Sequence, residues 1–99
     1  MISIIIPTYN NLDYLKICLK SLKKNSTFKH EIIIHVNDGS DGTLKFVKSN
    51  NYKHTNSDIN IGLCSSINKA AKLVSNKYIL YSHDDMYFCP NWDKVLLDE

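Results

Sequence analysis

Three short apolar runs, at residues 2–6, 31–36 and 78–81, limit most strongly how this chain can fold, and polar residues follow each of them. Continuous runs rich in Ile, Val and Leu, without strict alternation, are typical of parallel strands buried on both faces. Polar clusters at their ends mark the points where the chain leaves the sheet. We therefore predict that all three runs are buried strands.

The stretches between these runs have helical spacing. Leu12, Leu15 and Leu22 lie on one side of a predicted amphipathic helix, which Asn10 or Asn11 can cap. A second helix is predicted after the polar loop at 37–43, where Ser40 or Asp41 can act as the cap. A third is predicted over residues 62–74, with Leu63 and Cys64 among its buried side chains.

Residues 52–55 form a weak candidate for a further strand, and residues 91–97 form a final helix. Strands that alternate with helices predict a parallel sheet with helices on both faces. We therefore predict a single α/β domain over residues 1–99. Its core is a Rossmann-like, mostly parallel sheet of about four strands flanked by helices.

Composition narrows the function. The net charge is only +2, and all 12 basic residues are Lys, so the chain has no Arg with which to clamp phosphates in bidentate fashion. This disfavours nucleic acid as a partner. The odd count of 3 Cys, without a CxxC pair, argues against a disulfide framework and favours a reducing, cytoplasmic location. No apolar run is long enough for a transmembrane segment, while peripheral membrane attachment of a longer parent protein is left open.

Carboxyl ends of parallel strands meet at one edge of a sheet, and ligands bind there. Asp84 and Asp85 follow one predicted strand, so we expect them at this edge. Their hard oxygen atoms suit Mg²⁺ or Mn²⁺, although adjacent acids also occur in solvated loops. His83 is either a further ligand or a hydrogen-bonded structural residue.

Tyr9 and Asp38 follow the other two predicted strands and are expected at the same edge. Asp38 could accept an N–H of a pyrimidine base, or it could simply form an Asx turn. Tyr9 could stack on that base or be a half-buried turn aromatic. Gly62 opens a helix whose N-terminus could attract phosphate. The chain has no GxGxxG or P-loop pattern, which excludes the dinucleotide-binding and P-loop readings.

Five segments together resemble the family 2 glycosyltransferases, which have the GT-A fold. They are PTYN at 7–10, NDGSD at 37–41, NIG at 60–62, SIN at 66–68 and HDD at 83–85. The family has P-T-Y-N, D-D-G-S-x-D, N-x-G, A-R-N and D-x-D-like patterns in this order. The resemblance covers essentially the whole chain, which would then be the N-terminal half of such a fold.

The resemblance implies a role for each matching position. Tyr9 and Asp38 would contact the base, usually the uracil of a UDP-sugar. Asp84 would lie near the ribose or sugar, and Asp85 would ligate Mn²⁺ or Mg²⁺ on the diphosphate. The implied nucleotide- or substrate-binding residues are Pro7, Tyr9, Asp38, Gly62, Asn68 and Asp84.

Two positions depart from the family pattern: Asn37 replaces the first acid of its pair, and Ile67 replaces an Arg near the donor sugar. Family members also continue beyond the metal motif into an acceptor-binding half that supplies the general base. Asp93, Asp98 and Glu99 come too soon after the motif for that role. No catalytic residue is therefore expected within this chain.

The sequence thus predicts the donor domain of a glycosyltransferase, truncated before the acceptor-binding half. It would bind a nucleotide sugar through a divalent metal for transfer to an acceptor hydroxyl, with little transfer by the chain alone. The alternatives are a non-catalytic nucleotide-sugar binding or assembly module and a purely structural α/β domain. An exposed sheet edge could also lead to self-association.

Overall fold

The computed structural model describes residues 2–97, and in this part of the chain strands and helices alternate throughout. The elements are β1 (Ile2–Tyr9), α1 (Leu12–Asn25), β2 (Glu31–Asn37), α2 (Thr43–Ser49), β3 (Lys53–Ser57), α3 (Leu63–Ala71), β4 (Tyr78–Tyr81) and α4 (Trp92–Leu97). The four strands form one sheet in the order β3-β2-β1-β4, and every pairing is parallel. The predicted α/β fold class is confirmed.

Strand β1 lies inside the sheet and supplies both of its faces. Ile4 and Ile6 point to one side, where they pack in a cluster with Leu15 of α1 and with α2 and α4. Ile5 points to the other side and packs with Ala70 of α3. The alternation of side chains along a strand explains why one run of isoleucines serves two core layers.

Strand β1 continues through Pro7, where the sequence predicts a loop. The carbonyl oxygen of Ile5 accepts a hydrogen bond from the Ser82 amide at 2.9 Å, so odd-numbered residues of β1 direct their backbone groups towards β4. The last residue of β4, Tyr81, pairs with Ile5. Pro7 lies beyond that point, so its missing N–H leaves no ladder bond unmade.

Strand β4 corrects the prediction of a third buried strand. It pairs with β1 on one side, and no strand among residues 2–97 pairs with its other side. The side chains of Tyr78 and Ile79 are 61% and 51% exposed. The run is apolar as predicted. A strand is buried only where other elements pack around it, and β4, at the edge of the sheet, has a neighbouring strand on one side only.

Helix α3 is shorter than predicted, because it ends at Ala71 instead of Val74. Its fully buried residues are Ser66 and Ala70, one turn apart, and Ile67 and Ala71 pack partly buried against the same side of the sheet. Cys64 precedes Ser66 by two positions, about 200° around the helix, so its thiol is exposed and the prediction of a buried side chain was wrong. Leu63 is also exposed, and borders the cleft described below.

Asp41 supports the N-termini of two helices. Its Oδ1 accepts the Thr43 amide at 3.1 Å at the start of α2, and its Oδ2 accepts the Leu12 amide at 3.3 Å at the start of α1. Burial alone would raise the pKa of Asp41, but these hydrogen bonds outweigh burial and lower it. Asn11 occupies the N-cap position of α1 without a side-chain bond, and Gly42 occupies that of α2.

The last helix, α4, is present as predicted, while Asp98 and Glu99 lie outside the described residues. None of the helices within residues 2–97 is long and apolar enough to cross a membrane.

Candidate functional site

An open cleft of about 170 Å³ lies at the carboxyl ends of β1, β2 and β4, beside the start of α3. It brings together four of the predicted site residues: Pro7, Tyr9, Gly62 and Asp84. The other residues that line it are Thr8, Asn37, Asn60, Leu63, Ser66, Tyr81 and His83. Asp38, Asn68 and Asp85 are not part of this lining.

Asn37, one of the two departures from the family pattern, is a buried connector in the wall of this cleft. Its Nδ2 donates to the Thr8 carbonyl at 3.3 Å and to the Ser66 hydroxyl at 3.0 Å. Its Oδ1 accepts from the Ile61 amide at 3.0 Å and from the Ser57 hydroxyl at 3.1 Å. One side chain therefore ties β2 to β1, β3, α3 and the loop before α3.

Sequence reasoning did not assign Asn37, Thr8 or Ser66 to the site. Asn37 is the first polar residue after a buried run, and that position could have indicated an inward-facing amide. Ser66 lies one turn before Ala70 on the sheet-facing side of α3, where a hydroxyl needs a partner. The contacts between them join strands whose order the sequence does not specify.

Asp38 lies in the loop that joins β2 to α2 and is half-buried. Its Oδ2 accepts from the Asn10 amide group at 3.0 Å and from the Ser40 hydroxyl at 3.1 Å. Asn10 and Asp38 both have positive φ, 45° and 61°, a conformation that Asn and Asp tolerate better than most residues. Within residues 2–97 the Oδ1 atom of Asp38 accepts no side-chain hydrogen bond.

Gly39 fixes the shape of this loop. Its φ is +80°, and an added Cβ would lie 2.6 Å from the Val36 side chain and 2.9 Å from Leu44. Only glycine combines this conformation with so close an approach. The backbone that presents Asp38 is consequently held from both sides.

Asp84 is positioned by the central strand, since its Oδ2 accepts from the Thr8 hydroxyl at 2.8 Å. Thr8 is itself buried, so the bond fixes Asp84 at the end of the sheet. Asp85 is exposed. Nδ1 of His83 lies 3.0 Å from the Tyr81 hydroxyl, which gives this ring a structural partner.

The two carboxylates create a negative field at this edge. Burial, followed by the charges of Asp84 and Asp85, raises the pKa of Tyr81. Burial also raises the pKa of the Cys18 thiol to about 11, with smaller contributions from the same two charges. A cation placed here would offset this field.

The donor set fits a divalent cation that is shared with a phosphate. Within the described part of the chain, no three His, Cys, Asp or Glu side chains come close enough together to hold a metal ion by themselves. Mg²⁺ is commonly bound by one or two carboxylates, with phosphate and water as its other ligands. Asp84 and Asp85 supply this number of hard oxygen ligands, and Mn²⁺ accepts the same atoms.

Other predicted residues differ in their access to the cleft. The Tyr9 side chain is 51% exposed at its border, which leaves the ring free to contact a ligand. Gly62 has a φ of +85°, and nothing lies within 4 Å of a Cβ added there, so the approach to the N-terminus of α3 is open. Asn68 is exposed on α3 and, two positions beyond Ser66, faces away from the sheet.

A parallel α/β sheet with a polar cleft at its carboxyl edge defines a class of ligand-binding domains. The sequence narrows this class, because residues 3–99 match the family model for glycosyl transferase family 2. The chain belongs to this family.

Curated relatives agree with the assignment. The chain is 34% identical to an uncharacterized glycosyltransferase of Rickettsia bellii, over 92% of this chain and 14% of that protein. It is 32% identical to the uncharacterized glycosyltransferase YibD of Escherichia coli, over 97% of this chain and 29% of that protein. The chain thus spans less than a third of the length of these relatives.

Solved structures have the same fold. The structure of Staphylococcus aureus TarS 1-349 in complex with UDP matches with a TM-score of 0.85 and 27% identity, over 98% of this chain and 31% of that one. The mannosyltransferase PcManGT of Pyrobaculum calidifontis, in complex with GDP-Man and Mn²⁺, matches with a TM-score of 0.81 over 95% of this chain and 30% of that one. Its identity of 16% supports the fold alone.

Proposed function

We propose that this chain is the donor-binding part of a glycosyltransferase, and that its cleft binds the nucleotide of a UDP-sugar together with Mn²⁺ or Mg²⁺. The observation that carries the proposal is that Pro7, Tyr9, Gly62 and Asp84, from separate parts of the chain, border one cleft. UDP is favoured over GDP because the TarS structures in complex with UDP and UDP-GlcNAc are 27% identical to this chain, against 16% for the GDP-Man complex.

The base would extend past the border of the cleft, between Tyr9, which borders it, and Asp38, which lies outside its lining. The exposed ring of Tyr9 offers a stacking surface, and the Oδ1 atom of Asp38 offers an acceptor for the imide N–H of uracil. Asn10 holds the other oxygen atom of Asp38, so the carboxylate needs little ordering when the base binds. Pro7 and Gly62 would contact the nucleotide from the floor and far side of the cleft, and Asn68 stays a prediction from the family pattern.

The diphosphate would lie towards β4, beside Asp84 and Asp85. Asp85 would hold the cation, and Thr8 would keep Asp84 oriented towards the ribose or sugar. When bound, the cation would stabilise the negative charge that develops on the departing diphosphate. The N-terminus of α3 could add partial positive charge to the same region.

Transfer to an acceptor would need residues from elsewhere in a longer parent protein. Asp93 cannot serve as a general base at this site, because it is fully buried at the amino end of the sheet. We therefore propose nucleotide binding with little or no transfer by the chain alone. The same observation favours a second candidate, a non-catalytic nucleotide-sugar binding module.

Titration of UDP by calorimetry, with and without MnCl₂, tests the site. We expect Mn²⁺ to tighten UDP binding by about tenfold or more, which corresponds to about 1.4 kcal/mol per factor of ten. Asp85→Ala should abolish that gain. Asp13→Ala, which removes an exposed carboxylate of α1, is the matched control and should bind as the unmodified chain does.

The outcomes distinguish the metal-dependent nucleotide site from its alternatives. UDP affinity that is the same with and without Mn²⁺ would refute the cation bridge but leave the nucleotide site supported. Absence of binding under both conditions would leave the purely structural reading. Transfer of sugar to water or to a supplied acceptor by the 99 residues alone would refute the assignment of the general base to another segment.

The remaining parts of the proposal concern location and partners. Cys64 and Cys89 are exposed free thiols, which fits a reducing, cytoplasmic compartment. The acceptor, whether a glycan, a lipid or a protein, is not identified by any residue of the described chain.

A further inference from the structure

A larger cavity, of about 520 Å³, lies at the opposite, amino end of the sheet. It is bounded by the end of α1, the loop from α1 to β2, and the loop from α2 to β3. Its volume falls within the range of about 300–1,000 Å³ that is usual for small-molecule sites. It shares no lining residue with the cleft at the carboxyl edge.

The floor of this amino-end cavity is apolar. Ile4 and Leu22 form its base but are only 0% and 2% exposed, so the apolar surface that a ligand could cover belongs to the partly buried Ile32 and Tyr52 and to Phe28. Tyr52 forms one wall, and Phe28, whose side chain is 40% exposed, forms another. Covering this apolar surface with an apolar ligand removes it from water, which favours binding.

The charged groups of the lining are basic. Lys23, Lys29 and Lys53 line the cavity, and the ammonium group of Lys23 lies 4.9 Å from the centre of the Tyr52 ring. Lys53 is already paired with Glu31 at 2.6 Å. Lys23 and Lys29 form no ion pair within residues 2–97, so they carry the uncompensated positive charge.

The neighbouring acid does not reduce this charge by contact with the lysines. Asp93 is fully buried, and its oxygen atoms accept hydrogen bonds from the Thr27 and Phe28 amides and from His30. These bonds instead hold the loop that forms the wall of the cavity. The cavity therefore combines a fixed wall, an apolar floor and two available ammonium groups.

We propose that this amino-end cavity binds a small amphiphilic anion, a molecule with an acyl or aryl body and a phosphate, sulfonate or carboxylate head group. The body packs against the accessible apolar side chains of the lining, which are Phe28, Ile32 and Tyr52. The head group lies between Lys23 and Lys29. This site is independent of the nucleotide cleft.

Amide NMR titration of the 99-residue chain tests the proposal. The probes are octyl phosphate and naphthalenesulfonate, which separate an acyl from an aryl body, with octanol as the neutral analogue. We expect at least one anion to bind in the millimolar range or tighter. The amide signals of Lys29, Asn51 and Tyr52 should shift, while those of Tyr9 and Asp85 stay constant.

Charge reversal supplies the matched comparison. Lys29→Glu should weaken binding of the anion by about threefold to tenfold, as expected for a change of charge at an exposed pair. Lys45→Glu makes the same change in net charge on α2, at a residue that does not line the cavity, and should leave the affinity unchanged. Both lysines are exposed, so both variants are expected to fold.

Any of four results would overturn the proposal. Octanol could bind as tightly as the anions, Lys45→Glu could weaken binding as much as Lys29→Glu, or neither anion could shift the cavity signals. Shifts of these signals with protein concentration alone would identify a second copy of the chain as the occupant, and would also overturn it.

Discussion

The two ends of the sheet use the same residue type in opposite ways. At the amino end, the carboxylate of Asp93 is fully buried and accepts four hydrogen bonds within residues 2–97, one of them from His30. At the carboxyl end, Asp84 has one hydrogen-bond partner among the described residues, Thr8, and Asp85 is exposed. An acid whose bonds are complete stabilises the fold, whereas an acid with unused oxygen atoms is able to bind a ligand.

The pKa values follow the same division. Burial acts to raise the pKa of Asp93, but hydrogen bonds from the Thr27 and Phe28 amides and from His30 outweigh it and hold the pKa well below its usual range. At the carboxyl end, the charges of Asp84 and Asp85 add to the effect of burial and raise the pKa of their neighbour Tyr81. One end of the sheet has compensated its negative charge, and the other has not.

The largest expected effect is at Asp93. Asp93→Ala leaves the Thr27 and Phe28 amides and the buried ring of His30 without their acceptor, so the free energy of unfolding should fall by about 3 kcal/mol or more. Urea denaturation followed by circular dichroism measures this loss. Asp13→Ala, an exposed acid of α1, should change stability by less than about 0.5 kcal/mol. A loss below about 1 kcal/mol for Asp93→Ala would remove the contrast between the two ends.

A substitution of Asn37 tests whether the carboxyl end also contains a side chain that stabilises the fold. Asn37→Ala removes a buried connector and should lower the free energy of unfolding by about 2 kcal/mol, because the Ile61 amide loses its acceptor. Asn68→Ala, at an exposed position of α3, should be neutral for stability. If both variants proved equally stable, the network around Asn37 would not support the cleft wall as described.

The dependence of stability on pH provides a third test, with a smaller expected effect, at the amino end of the sheet. Burial acts to raise the pKa of Glu31, but Lys53, Ser3 and Ser75 outweigh it and lower the pKa from 4.5 to about 2. The unfolded chain therefore takes up this proton first, and the stability due to Glu31 is present above pH 4.5 and lost as the pH falls towards 2.

Urea midpoints measured across this pH range would show the decline, and Glu31→Gln should make it shallower. Lys48→Gln, which removes an exposed charge outside the ion pair, is the control. A decline equally steep in Glu31→Gln would assign the acid sensitivity to other carboxylates.

The smallest effect concerns the exposed edge at β4. We expect weak self-association through Tyr78 and Ile79, visible by light scattering only at high protein concentration. Ile79→Lys should remove it without loss of the fold, since a charged side chain is common on edge strands. A monomer at every concentration would refute this expectation.

Much of the fold could be predicted from local pattern, because isoleucine runs and helical spacing specify β1, β2 and α1 within a few residues. The exposure of β4 could not, since burial of a strand depends on how many neighbours the sheet supplies. At the site, the position of Asp84 follows from the end of a strand, whereas its bond to Thr8 depends on the pairing of β1 with β4. The bonds that enclose Asp93 join segments more than 60 residues apart, as the separation of 66 residues between Thr27 and Asp93 illustrates.

The end of β1 has a consequence for how this domain can vary. Thr8 holds Asp84 on one side, and Asn10, two residues further on, holds Asp38 on the other. Tyr9 is the last residue of β1, and Asn10, the first residue after it, has a φ of 45° that turns the chain away from the strand. Both ends of the proposed nucleotide site are thus tied to the same short segment, the end of β1 and the turn that follows it. Insertions further along the surrounding loops could alter what is recognised at either end while these two attachments are kept.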